Sequence, residues 1–168
     1  MELSREQRDR VTKLVYEGYT EEFPEAEWKS CRAKLMSSIE HPMELHLYAT
    51  NYNWDGGFEE LKEVLDHPKC DKATALLIYA MGSPGFFYRK LEKNAALRPY
   101  EQDVWDFLRE IEQRIRNEEF QSGRVAFDPR KHVGTDLYRV NNANLGNRLV
   151  PDIMKNATTG ESVRNTSI

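Results

Sequence analysis

Between Asp71 and Gly82 the chain carries Ala73-Thr74-Ala75-Leu76-Leu77-Ile78-Tyr79-Ala80-Met81, a run with apolar side chains on every side of a helix. A helix of that kind cannot lie on a surface and has to be enclosed by neighbours. Asp71 supplies an N-cap oxygen, and Gly82 and Pro84 stop the helix. The rest of the sequence must therefore provide layers that close around this segment.

The remaining periodicity provides them as helices. Ser4 and Gln7 form a capping-box pair, and Val11, Leu14 and Val15 continue a helical stripe, predicting a first helix from Arg5 to Gly18. Pro24 suits the opening turn of a second helix, with Trp28, Cys31, Leu35 and Ile39 as its apolar stripe. Pro42 ends that helix and opens a third, Met43 to Thr50, whose Leu45, Leu47, Tyr48 and Ala49 call for packing on two sides. Asp55-Gly56-Gly57 is turn chemistry, since glycine alone reaches positive φ without strain. Phe58, Leu61, Val64 and Leu65 mark a fourth helix, stopped by His67-Pro68. A short helix is expected around Phe86 to Lys93, and a long one from Tyr100 to Glu119 on the stripe Val104, Phe107, Leu108, Ile111 and Ile115.

Beyond the long helix, Val125 to Phe127 and Leu137 to Val140 could pair as a small C-terminal β-hairpin, and Leu149 to Met154 could form a final helical turn. The expected architecture is mainly α: a compact helical bundle or a stack of helical hairpins. One domain spans 1–154, with a flexible tail over 155–168 that has few apolar anchors. An internal echo, Ile39-Glu40-His41-Pro42 and Leu65-Asp66-His67-Pro68, favours the hairpin stack.

Composition removes several function classes. The start of the chain leads into a charged amphipathic run instead of a signal peptide, and no apolar stretch suffices to cross a bilayer, so a cytoplasmic location without membrane contact is expected. Cys31 and Cys70 lack the spacing of a zinc site or a disulfide framework, and His41, His46, His67 and His132 offer no paired ligands on one helix. Neither a metal nor another cofactor is expected. The net charge of -4 disfavours nucleic acid as a partner. Charge is uneven: residues 41–82 hold three Lys/Arg against seven Asp/Glu, and residues 123–168 hold seven against four.

The words Glu44-Leu45-His46-Leu47-Tyr48-Ala49-Thr50-Asn51-Tyr52-Asn53-Trp54-Asp55-Gly56-Gly57-Phe58, then Leu65 to Asp71, Thr74 to Leu76 and Phe127 to Pro129, resemble a bacterial family catalogued as domain of unknown function 4274. The resemblance covers residues 43 to 130. It implies no reaction. It implies relatives that are small bacterial proteins, some coded beside secreted toxins as immunity proteins are.

The residues admit three functions. The acidic segment with Tyr52, Asn53, Trp54, Asp55, Glu59, Glu60, Glu63, Asp66 and His67 suits a non-enzymatic interaction module, such as an immunity protein that neutralises a basic toxin. His67 oriented by Asp55 or Asp66 would instead suit a small hydrolase or transferase, provided the side chains meet. A structural or regulatory adaptor, using the basic stretch from Arg139 to Arg164, is the third. Phe86-Phe87-Tyr88 beside Arg89 and Lys90 fits a plug in the bundle or a protein-binding patch better than a nucleic-acid track.

Overall fold

The computed structural model describes residues 3–17, 22–131 and 150–162. Among these, seven α-helices follow one another: α1 (Arg5–Tyr16), α2 (Glu25–Ser37), α3 (Pro42–Thr50), α4 (Glu59–Asp66), α5 (Lys72–Met81), α6 (Pro84–Glu92) and α7 (Pro99–Arg116). Short 3-10 turns lie at Trp54–Gly56 and Asp152–Lys155. The protein is a mainly α bundle, and no sheet forms among the described residues.

The odd-numbered helices pack in a row, α1 on α3, α3 on α5 and α5 on α7, while α2, α4 and α6 pack beside α1, α3 and α5, and α7 respectively. Residues 42–49 of α3 and 73–80 of α5 are all buried, so both inner helices are enclosed. Each buried Leu or Ile there contributes about 2 kcal/mol through the hydrophobic effect. The seal at the C-terminal end of α5 is tight: a Cβ on Gly82 would meet Leu108 Cδ2 at 2.6 Å.

Enclosing these helices forces their polar ends to find partners inside the protein. His41 Nδ1 accepts from Met43 N–H at 3.2 Å at the start of α3, and Glu44 accepts from His41 N–H at 3.1 Å. Glu44 is fully buried and pairs with Arg10 of α1 at 3.1 Å. Asp71, also fully buried, caps α5 through Ala73 N–H at 2.9 Å and accepts Arg124 N–H at 3.1 Å. His46 Nδ1 lies 3.2 Å from Thr74 Oγ1, tying α3 to α5.

Three expectations change. The inward face of α2 is Trp28, Arg32 and Met36, with Cys31 and Leu35 only half-buried. The Arg32 guanidinium turns this face inward because Tyr48, Glu60 and Glu63 all receive it. Val125 to Phe127 is extended, but it pairs with the chain end: Ala126 N–H donates to the Glu161 carbonyl at 2.9 Å, and Thr158 N–H to the Phe127 carbonyl at 2.8 Å. Gly160 permits this closure, since its φ is +144 and a Cβ there would sit 2.6 Å from Arg124 backbone. The expected partner strand, Leu137 to Val140, and residues 163–168 of the expected tail lie outside the described residues. The long helix stops at Arg116, where Glu118 turns to φ 57.

The Arg10–Glu44 pair is a buried ionic joint between α1 and α3, and truncating one partner strands the other. Glu44→Ala should lose about 3 kcal/mol of unfolding free energy in urea titrations, with Glu44→Gln losing less because an acceptor remains. A loss in Glu44→Ala below about 1 kcal/mol would show that the joint does not hold α1.

Candidate partner-binding face

The nine residues singled out in the sequence run from Tyr52 through the Trp54–Gly56 turn and α4 to its C-cap, His67. Asn53 caps the Trp54–Gly56 turn, its Oδ1 accepting Asp55 N–H at 3.1 Å, and Asp55 is exposed. Gly57, at φ 93, then reverses the chain into α4. Tyr52 tilts against Tyr48 at 5.7 Å and donates to the Gly57 carbonyl at 3.2 Å. Burial pushes its phenol up to about 12. Trp54 is half-buried, its ring 3.4 Å from where a Gly82 Cβ would stand, and its Nε1–H is covered without a hydrogen-bond partner among the described residues.

Much of the acidity of residues 41–82 is consumed internally. Tyr48 donates to Glu60 at 2.6 Å, and Arg32 contacts Glu60 at 3.3 Å and Glu63 at shorter range. Asp66 pairs with Arg114 of α7 at 2.7 Å. Glu44 and Asp71 are buried in caps. Of the seven carboxylates, Asp55, Glu59, Glu63 and Asp66 are exposed, the last three each in contact with a cation, Glu59 with Lys62 at 3.0 Å.

A second source of acidity restores the face. Glu59 and Lys62 of α4 and Asp103, Asp106 and Glu110 of α7 line a cleft of about 330 Å³ beside Phe58 and Phe107. The two phenyl rings stack with centroids 4.7 Å apart and planes 14° apart, and Lys62 Nζ lies 4.9 Å over Phe58. Four carboxylates thus gather around Lys62 above an aromatic base, with Glu110 also 3.9 Å from Arg114. Asp103, Asp106 and Glu110 were missed as site residues. Their signal was the polar side of α7 opposite its apolar stripe, yet nothing in one sequence tells that α4 lies alongside.

The two echo words perform one task. His67 Nδ1 accepts Lys69 N–H at 3.1 Å, as His41 Nδ1 accepts Met43 N–H, so each imidazole binds an amide two residues on. His67 and Asp66 therefore turn to different partners: a backbone amide and Arg114. Among the described residues no group of three His, Cys, Asp or Glu side chains could hold a metal ion.

Burial lowers the His67 pKa below its ordinary value, against a hydrogen bond with Met36 backbone that favours the cation. A base depressed on folding contributes stability that is present above about pH 6.5 and is lost as the pH falls below it. Unfolding free energies measured from pH 7 to pH 5 should show this loss in the wild type. His67→Asn, whose oxygen can accept the same amide without titrating, should flatten that component; an unchanged pH slope would remove His67 as its source.

Among the described residues no helix is long and apolar enough to cross a membrane. No curated protein and no solved structure matches the chain. The helices α1 and α2 and the segment after α7 lie outside the family match, which ends short of residue 130. Residues 40–116, from the cap of α3 to the end of α7, match the model of the family described as Domain of unknown function (DUF4274).

Proposed function

We propose that the protein is a non-enzymatic interaction module that docks the α4/α7 cleft on a basic protein, as an immunity protein masks a secreted toxin. The observation that carries this reading is the cleft itself, with Glu59, Asp103, Asp106 and Glu110 around stacked Phe58 and Phe107. Complementary charge accelerates encounter and rejects acidic competitors. The cleft lies between α7, the last helix of the row, and α4, which packs on α3 and α5, so it is ordered before a partner arrives and loses little entropy on binding.

The cleft carboxylates are at the surface, and their neutralisation leaves the buried joints intact. Wild type and Glu59→Gln/Asp103→Asn/Asp106→Asn/Glu110→Gln, each immobilised and exposed to extract of the native host, should differ in one respect. The wild type should retain a protein of basic isoelectric point, released by salt, and the variant should lose it by more than about tenfold. Co-expression with a toxic adjacent gene product should restore growth with the wild type only. Retention of the same partner by the variant, or the absence of any basic partner, would end this reading.

A further inference from the structure

The chain carries net charge -4, yet at the α6–α7 junction it gathers Arg89, Lys90, Lys93 and Arg98 into one concavity in which Glu101 is the one carboxylate among the described residues. Like charges held together repel one another, and their cost is relieved when an anion enters. The concavity measures about 470 Å³, within the range of sites that hold a small organic ligand. It is also partly apolar. Phe86, exposed at 40%, forms one wall, with Lys90 Nζ 5.5 Å from its ring centroid.

The carboxylate serves to set the cations in place. Glu101 is 1% exposed and contacts Lys90 Nζ at 2.5 Å, Arg98 N–H at 2.7 Å and the Arg98 guanidinium at 3.0 Å. These donors hold its carboxyl down to about 2, with the Lys90 ammonium first. It is thus a permanent anion that fixes two of the cations while neutralising one charge. Arg98 has five N–H donors in a planar fork, and this contact uses one of its guanidinium nitrogens. The Lys93 side chain belongs to an exposed residue at the end of α6. Arg98 is also the N-cap of α7, an 18-residue helix whose dipole turns its positive end toward the same concavity.

We infer that the α6–α7 concavity binds a small organic phosphate of nucleotide size, its phosphates on Lys93 and Arg98 and its apolar body against Phe86. This site is separate from the acidic cleft and independent of the function proposed for it. A guanidinium fork and an ammonium together match the oxygens of a diphosphate better than those of a lone carboxylate. The phenyl wall gives the ligand a reason to carry a ring, so both halves of the molecule contribute.

Isothermal titration calorimetry of the full chain in low salt separates the contributions, with adenosine diphosphate, inorganic pyrophosphate and adenosine as probes. Adenosine diphosphate should bind with a submillimolar Kd, about tenfold or more tighter than either of the other two. Lys93→Gln/Arg98→Gln, two exposed positions whose change should leave the circular dichroism spectrum unaltered, should weaken it by about tenfold or more. Asp103→Asn/Asp106→Asn, in the acidic cleft, should leave it unchanged. Three results would each overturn the inference: no heat from adenosine diphosphate, equal affinity for pyrophosphate, or unaltered affinity in the Lys93→Gln/Arg98→Gln protein.

Discussion

Enclosing two consecutive odd-numbered helices, α3 and α5, is the constraint from which the rest of the structure follows. Residues 42–49 and 73–80 are closed off from water, so the polar groups among them must be answered from within. The answers fall at the joints of the row. Glu44 meets Arg10 across α1 and α3, His46 meets Thr74 across α3 and α5, and Tyr79 meets Glu112 across α5 and α7. Polar contacts this deep set registry: each can be made in one placement of the helices, whereas apolar faces slide with smaller penalties.

The same constraint redistributes charge. Carboxylates that look like one surface in the linear chain are tied to Arg10 and Arg32 or cap the start of α5, and the acidity of the cleft is assembled from two helices far apart in sequence. The cations follow a parallel path at the α6–α7 junction, where a covered Glu101 organises them. A chain of modest overall acidity thus presents one negative and one positive concavity, both bordered by α7.

Helix content was legible because periodicity and caps agree: Ser4, Asp71, Pro42, Pro84 and Gly82 do in the structure what their chemistry permits. The all-apolar segment named its own place at the centre. Facing was harder. The inward turn of Arg32 depends on Tyr48 and two glutamates of another helix, so the local pattern pointed to Cys31 and Leu35 instead. Pairing of Val125 to Phe127 with Thr158 to Glu161 was illegible for a similar reason, since it depends on a glycine at one exact approach and on thirty intervening residues. Glu60, Glu63 and Asp66 have ion-pair partners on α2 and α7 that sequence proximity does not reveal.

Glu112 shows how such a core constrains its own history. Its carboxylate, 1% exposed, takes the hydroxyl of Tyr79 at 2.5 Å and that of Tyr88 at 2.8 Å, and its other oxygen receives Arg109. Removing the acid leaves two phenols and a guanidinium seeking acceptors at once, while replacing one phenol leaves the acid with spare lone pairs in a dry place. No single-letter route through this quartet is neutral. The four positions are therefore expected to drift together or not at all, as an epistatic unit whose members carry no separate meaning.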